Sequence, residues 1–223
     1  MQVRKGRVVS RRSLYEARRY VLGAAALELA LAPSRAVRGR LLLGVGLACL
    51  VFFRDPPRSI EREPDTIYAP ADGVVVEVGA ASDPWLPGGE VVRIATFLAL
   101  YDVHVTRSPT SGRIAAAEES AGGFAPAFLG RARGNRRKRL AIDDGPRRVV
   151  LVQFAGMLAR RISSWAWLGD RVEAGQRIAL IHLGSRADVL FPAADAHAAV
   201  HVGRRVRAGV TPIARYHGAE ATT

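Results

Sequence analysis

The sequence predicts a mainly β protein, with a β-sandwich or barrel core preceded by a helical hairpin. Beyond Arg54, short alternating or apolar runs are separated by glycine, proline and aspartate, a pattern typical of strands joined by tight turns. Ahead of Arg54, residues 20–32 and 41–53 form two apolar runs of thirteen residues, and their length favours helices over strands. We therefore expect a basic helical segment over residues 1–53 and a β-rich domain over residues 54–223.

Each short run of the second domain predicts one strand. The candidates are 67–69, 73–79, 90–98, 102–106, 112–118, 139–142, 148–154, 178–183, 188–191 and 198–202, with a short helix expected only at 156–162. Two stretches, APADGVV at 69–75 and GDRVEAGQRI at 169–178, resemble the opening strand and the Gly-Asp hairpin turn of biotinyl/lipoyl-type modules. Glycine supplies positive φ in such turns and aspartate caps the loop backbone. The resemblance implies a barrel-sandwich-like core.

The N-terminal segment carries a large excess of positive charge. Residues 1–40 hold ten Arg and Lys side chains against two Glu, within a net charge of +13 for the 223-residue chain. This balance favours an anionic partner. The neighbouring apolar runs favour a membrane surface, and the Arg-rich stretch at 131–139 lacks the interleaved aromatic residues of a nucleic-acid stacking platform. We therefore expect no nucleic-acid partner.

Neither apolar run reaches the roughly 20 residues that a membrane-spanning helix needs. We expect a helical hairpin inserted part-way into the cytoplasmic face of the cell membrane, as a peripheral or monotopic protein, with Arg35, Arg38 and Arg40 at anionic headgroups. An ordinary buried helical hairpin is the alternative, because runs of about 10–14 apolar residues are often core helices. The long basic stretch and the glycines of the second run disfavour a cleaved signal peptide.

Cysteine and histidine usage offers little support for a disulfide or metal site. Cys49 is the only cysteine, so no disulfide forms within the chain. The five histidines include one i, i+4 pair, His197 and His201, but residue 198 is not Glu and the stretch predicts a strand. We expect no metal ion.

A Gly-Ser pair, Gly184 and Ser185, lies between the apolar run 178–181 and the extended run 188–192. Taken alone, such a pair predicts a turn. Other motifs accompany it in order: FFRDPPR at 52–58, APADG at 69–73, YDVHVTRSP at 101–109, QFAG at 153–156, ARRI at 159–162, GD at 169–170, GQR at 175–177 and LGSR at 183–186. Together they resemble the phosphatidylserine decarboxylase family in its short prokaryotic form, over roughly residues 50 to 195.

The resemblance implies a proenzyme that makes its own cofactor. Decarboxylating an amino acid requires an electron sink, which unmodified side chains lack. The only lysines, Lys5 and Lys138, lie in basic stretches, which argues against a pyridoxal Schiff base. In this family Ser185 would attack the Gly184 carbonyl, and elimination and hydrolysis would leave a pyruvoyl group on residue 185. Chains 1–184 and 185–223 would stay together. The ketone would then form a Schiff base with the serine headgroup of phosphatidylserine and release CO2, giving phosphatidylethanolamine.

The resemblance also implies the site residues. His104 would carry protons, since histidine titrates near neutral pH, and Asp72 would orient it, as in a catalytic triad. Longer family members carry a second histidine in this stretch, near the position of Arg107 here, which leaves open whether His104 serves self-cleavage, decarboxylation or both. His182 lies close in sequence to the scissile bond. Arg107, Arg160 and Arg161 are candidates for binding the substrate phosphate.

Several alternatives stay open. A carrier module would need a modifiable lysine in the 169–176 hairpin, and there is none. A membrane-bound scaffold could keep the core without self-cleavage. A decarboxylase of an ether-linked serine phospholipid would use the same chemistry, because that chemistry acts on the headgroup. A homo-oligomer is also possible.

Overall fold

The computed structural model describes residues 10–30, 40–59, 62–123, 136–155, 161–182 and 185–218, apart from the side chains of Leu41 and Ser185. The chain forms two compact units, Met1–Pro57 and Arg58–Thr223. The first is helical in its described part and the second consists of β-strands. The prediction of a mainly β protein is confirmed.

The first unit contains helix α1, Arg11–Ala30, packed against helix α2, Arg40–Phe52. Helix α1 begins earlier than the apolar run predicted, because Ser10 caps it: the amide of Ser13 donates to Ser10 Oγ at 3.1 Å. The carboxylate of Glu28 accepts from the amide of Leu42 at 3.0 Å, which satisfies a donor in the first turn of α2. Within the described ranges, neither helix is both long and apolar enough to cross a bilayer. Membrane association of this segment stays a prediction.

In the described part of the second unit there are fourteen strands. They are β1 Thr66–Tyr68, β2 Gly73–Ala81, β3 Val91–Leu98, β4 Val105–Arg107, β5 Gly112–Ser120, β6 Arg137–Asp144, β7 Arg147–Phe154, β8 Ile162–Ser164, β9 Arg171–Val172, β10 Arg177–Ile181, β11 Ser185–Pro192, β12 Ala196–Ala198, β13 Arg205–Val206 and β14 Pro212–Tyr216. Most of the predicted strands are present. Residues 156–160 of the expected helix lie outside the described residues, and at 162 the helix prediction is wrong because β8 begins there.

The strands among the described residues pair into three antiparallel sheets. An eight-stranded sheet has the order β13-β2-β3-β11-β7-β6-β5-β9, and two small sheets have the orders β1-β14-β12 and β4-β10-β8. Alternate residues of β7 and β11 belong to two different apolar clusters: Leu151 and Val189 to the larger, Val150 and Leu190 to the smaller. Because successive side chains of a strand point to opposite faces, the large sheet carries apolar packing on both sides.

Candidate active site

Strands of the large sheet bring several predicted site residues to one end of it. β3 ends at Leu98, and Leu98 is paired in register with Ser185, the first residue of β11. On the other side of β3, Val74 at the start of β2 pairs with Phe97. Asp72, which directly precedes β2, therefore lies at the same end of the sheet as the backbone of Ser185. Gly184 lies outside the described residues.

Gly73 lets β2 approach β3 closely at this point. A Cβ on Gly73 would lie 2.0 Å from the carbonyl oxygen of Phe97, a distance at which the backbone must move. The glycine of the Asp72-Gly73 pair is therefore needed for strand packing. It places Asp72 next to the end of β3.

His104, directly before β4, is joined to this region through the small sheet β4-β10-β8. Its carbonyl oxygen accepts from the amide of Ile181 at 3.1 Å, at the end of β10. The side chain of His104 is fully buried, and Nδ1 lies 2.9 Å from the carbonyl oxygen of Asp102. A carbonyl oxygen only accepts, so Nδ1 carries the hydrogen and Nε2 presents the lone pair of the neutral ring. A general base requires this tautomer.

Asp102 holds the loop that positions His104. Its Oδ2 accepts from the amide of Ala99 at 2.9 Å, and its own amide donates to the Ala99 carbonyl at 2.9 Å. Its Oδ1 forms an ion pair with Arg205. Sequence reasoning quoted Asp102 within the YDVHV motif but gave it no role. Its position two residues before the histidine was the available signal.

Asp72 has partners that the sequence did not predict. Arg58 binds it through two bonds, Nη1 to Oδ1 and Nη2 to Oδ2, each 2.6 Å long. The amide of Ala208 donates to Oδ1 at 2.8 Å. The contact described for the His104 ring is with Asp102, so the orientation of His104 by Asp72 stays a prediction. Sequence reasoning quoted Arg58 within the FFRDPPR motif but gave it no role.

His182 is fully buried at the end of β10 and belongs to a short hydrogen-bond chain. Arg161 Nε lies 3.1 Å from Ser163 Oγ, which lies 3.0 Å from His182 Nε2. A guanidinium only donates, so Ser163 Oγ accepts from Arg161, and the direction of its bond to His182 depends on the tautomer of the ring. The amide of His182 also donates to the Arg161 carbonyl at 3.0 Å. The structure thus brings two predicted residues, His182 and Arg161, together.

The arginine candidates for phosphate binding differ in accessibility. Arg107 is buried, and its Nη1 donates to the carbonyl of Gly175 at 2.9 Å. Arg161 is exposed. Arg160 lies outside the described residues. Phosphate binding by all three stays a prediction, and exposure favours Arg161.

Gln153 and Thr106 form a buried polar link that sequence reasoning missed. Gln153 Nε2 donates to Thr106 Oγ1 at 2.6 Å, and Thr106 Oγ1 donates to the carbonyl of Ala179 at 3.2 Å. The link joins β7 to β4, directly beside His104. Among the described residues, Gln153 Oε1 and Thr96 Oγ1 are buried without a hydrogen-bond partner. Both residues pair in register with Ala187, two positions after Ser185.

The residue after Ser185 anchors the start of β11. Arg186 Nε donates to Asp188 Oδ1 at 2.6 Å, and Nη2 donates to Asp188 Oδ2 at 2.8 Å and to Glu77 Oε2 at 2.9 Å. Burial acts to lower the pKa of Arg186, but the carboxylates of Asp188 and Glu77 outweigh it and raise that pKa. These bonds hold β11 to β2 independently of the peptide bond that precedes Ser185.

The residues at this end of the sheet fit a pyruvoyl group on residue 185. A pyruvoyl group has two carbonyl oxygens that accept hydrogen bonds. The Thr96 hydroxyl, which is buried without a partner among the described residues and lies on the strand paired with the start of β11, is a donor they can use. In the part of the chain that the structure describes, no three His, Cys, Asp or Glu residues are grouped so as to hold a metal ion.

Comparisons with known proteins show the family of this chain. The family model for phosphatidylserine decarboxylase matches residues 45–214. A phosphatidylserine decarboxylase proenzyme of Symbiobacterium thermophilum is 41% identical over 181 residues, 79% of this chain and 83% of the relative. The one of Cupriavidus metallidurans is 41% identical over 174 residues, 76% of this chain and 79% of the relative. A putative archaetidylserine decarboxylase proenzyme of Methanosarcina barkeri is 39% identical over 165 residues, 74% of this chain and 75% of the relative. The chain therefore belongs to the phosphatidylserine decarboxylase family.

Proposed function

We propose that this chain is the proenzyme of a pyruvoyl-dependent carboxy-lyase that converts phosphatidylserine to phosphatidylethanolamine and CO2. The observation that carries the proposal is the position of Ser185. It is the first residue of β11, paired with the end of β3, while the backbone of His104 is bonded to Ile181 at the end of the preceding strand. A potential nucleophile and a histidine in the tautomer of a base thus lie on adjoining chain segments.

Self-cleavage would begin with attack of Ser185 Oγ on the carbonyl carbon of Gly184. His104 Nε2 is the base to which we assign the hydroxyl proton, because a serine hydroxyl is a weak nucleophile without one. The Gly184–Ser185 C–N bond breaks and an ester forms. Elimination then breaks the Cβ–O bond, releases the Gly184 carboxylate and leaves dehydroalanine. Addition of water releases ammonia and leaves the ketone, with no external oxidant or reductant.

The two products, 1–184 and 185–223, would stay associated through strand pairing. Three strands of the smaller chain pair directly with strands of the larger one: β11 with β3 and β7, β13 with β2, and β14 with β1. Val189 and Phe191 of β11 lie in the main apolar cluster with residues of the larger chain. Cleavage before residue 185 would remove none of these contacts.

The pyruvoyl ketone supplies the electron sink for decarboxylation. His104 is the proton donor we assign to the carbon that loses CO2, and Arg161 is the exposed cation we assign to the substrate phosphate. Asp72, held by Arg58, is assigned to orient or charge-stabilise His104. His182, bonded to Ser163, is assigned a supporting contact with the substrate.

We also propose that the helical unit associates with an anionic membrane surface, at the cytoplasmic face of the cell membrane. Large apolar side chains are exposed along both helices, among them Leu22 and Leu29 of α1 and Leu43 and Leu47 of α2. The basic residues of the N-terminal segment complement anionic headgroups. A homo-oligomer remains compatible with this arrangement.

Intact-mass spectrometry of the purified chain beside a Ser185→Ala variant tests the proposal. We expect two chains, divided after Gly184, with the smaller one lighter by one ammonia than a serine-initiated peptide. The Ser185→Ala control should stay whole. A single uncut chain in native membranes would refute self-cleavage and favour a membrane-bound scaffold.

A second candidate is decarboxylation of an ether-linked serine phospholipid. It is favoured by the likeness to the Methanosarcina barkeri protein, whose name refers to archaetidylserine. Competing ester-linked and ether-linked substrates in one assay would decide between them, through the ratio of the two kcat/KM values.

A further inference from the structure

Two loops lie near the end of the large sheet at which Ser185 lies. One follows β3 and contains Leu100 and Tyr101. The other contains Val202 and leads into β13 along the edge of β2, where the amide of Gly203 donates to the carbonyl of Val75 at 2.8 Å. The strands place them side by side, because β13 pairs with the start of β2, and β2 pairs with the end of β3. The guanidinium of Arg205, the first residue of β13, lies 5.5 Å from the ring centroid of Tyr101, so the start of β13 contacts the loop that follows β3.

The two loops expose large apolar side chains. Leu100 is 53% exposed, Tyr101 65% and Val202 56%. Single exposed apolar residues are common on protein surfaces, but a group of them often marks an interaction site. Here the group lies at the end of the sheet that carries the candidate active site.

Positive charge surrounds these side chains. Arg204, Arg205 and Arg207 are all exposed. Arg205 is paired with Asp102, whereas Arg204 and Arg207 have no carboxylate partner among the residues that the structure describes. Exposed apolar groups next to unpaired arginines match the composition of surfaces that lie in a membrane interface, where apolar groups enter the acyl boundary and cations meet anionic headgroups.

We propose that Leu100, Tyr101, Val202, Arg204, Arg205 and Arg207, here termed the interfacial rim, contact an anionic lipid surface. The occupant is argued from charge complementarity, because a second copy would bring the same arginines against one another. The inference rests on the proposed function and deepens it. It assigns the β-rich unit a lipid contact of its own.

The interfacial rim is connected to the candidate active site through Asp102. The side chain of Asp102 binds Arg205 on the rim. The backbone carbonyl oxygen of Asp102 accepts from Nδ1 of His104 at 2.9 Å. A lipid surface resting on the rim would therefore lie next to the loop that carries His104. This arrangement presents a phospholipid headgroup to the site without requiring the lipid to leave its membrane.

An environment-sensitive fluorophore tests the contact on the full chain. Cys49, the only cysteine, is replaced by alanine, and NBD is attached to a cysteine at Leu100 or at Val202. Pro87 provides the control position, because it is exposed in the turn between β2 and β3, at the opposite end of the sheet. With vesicles containing phosphatidylglycerol, we expect a blue shift and quenching by spin-labelled lipid at 100 and 202 but not at 87. Vesicles of phosphatidylcholine alone should produce a smaller blue shift and less quenching at these two positions.

A pair of charge variants tests the role of the arginines. Arg204→Gln with Arg207→Gln should raise the phosphatidylglycerol vesicle concentration for the half-maximal NBD shift at Leu100 by about ten-fold or more. Arg113→Gln with Arg171→Gln removes the same charge from exposed positions on β5 and β9, at the opposite edge of the sheet from β13. This control should change the half-maximal vesicle concentration by less than about two-fold.

The outcomes separate this proposal from the proposed function. No shift at 100 and 202, or an equal shift at 87, overturns the rim even if the labelled chain self-cleaves normally. A shift that grows with protein concentration in the absence of vesicles would assign the surface to a second copy and overturn the lipid contact. Failure of the unlabelled chain to self-cleave would overturn the proposed function, while the NBD result would still report on the rim.

Discussion

Breaking the Arg58–Asp72 ion pair should destabilise the β-rich unit by about 3–5 kcal/mol. The pair consists of two charge-assisted bonds of 2.6 Å. The Arg58 side chain is 2% exposed and that of Asp72 is 16% exposed. Arg58→Gln leaves the Asp72 carboxylate without its guanidinium, but water can partly reach this carboxylate. It also still accepts a hydrogen bond from the amide of Ala208. Asp72→Asn leaves a guanidinium that water barely reaches, so it should cost more than Arg58→Gln.

Urea unfolding followed by tryptophan fluorescence measures these costs. The three tryptophans, Trp85, Trp165 and Trp167, all lie in the β-rich unit, so their signal reports on that unit alone. The measurements belong in a Ser185→Ala background, which keeps the chain whole if self-cleavage occurs.

A double-mutant cycle provides the decisive comparison. Because glutamine and asparagine are both neutral, the double variant should cost clearly less than the sum of the two single variants, with a coupling of about 2 kcal/mol or more. Single costs below about 1 kcal/mol, or a coupling near zero, would refute the reasoning. With Ser185 restored, slower self-cleavage in Asp72→Asn than in Arg58→Gln, at temperatures where both are folded, would support a direct role of the carboxylate at His104.

Three further predictions concern other positions. Gly73→Ala should cost about 3 kcal/mol or prevent folding, because its Cβ would lie 2.0 Å from the Phe97 carbonyl oxygen. Gly79→Ala in the same strand, with nothing within 4 Å, is the near-neutral control, and urea unfolding compares the two. Burial lowers the pKa of Lys138 from its ordinary 10.5, so the unfolded chain binds more protons between the two pKa values. Its contribution to the free energy of unfolding should therefore rise with pH through that window, and Lys138→Met should flatten the rise in pH-dependent urea titrations. Gln153→Leu should change the free energy of unfolding by less than about 1 kcal/mol, since the lost bond is offset by removal of a buried unpaired acceptor, yet it should slow self-cleavage in a time course. An unchanged cleavage rate would leave Gln153 without a role at the site.

Local pattern was sufficient to predict most of the strands. The alternating and apolar runs beyond Arg54 predicted β2, β3, β5 and β7 close to their observed bounds, because the period of a strand is visible in a few residues. Short strands such as β8, β9 and β13 carry too few residues to show a period, and only their pairing partners define them. The helix expected at 156–162 was wrong at its end for the same reason.

The sequence by itself determined the family, the residue types of the candidate site and the position of the Gly-Ser pair. Motif order carries that information without coordinates. Only the tertiary structure decided which groups bind one another. It pairs Arg58 with Asp72, the carbonyl of Asp102 with the His104 ring, and Ser163 with His182. Hydrogen bonds and ion pairs depend on atoms approaching to about 3 Å. For Arg58 and Asp72 such an approach depends on how the chain folds back, which the local sequence does not encode.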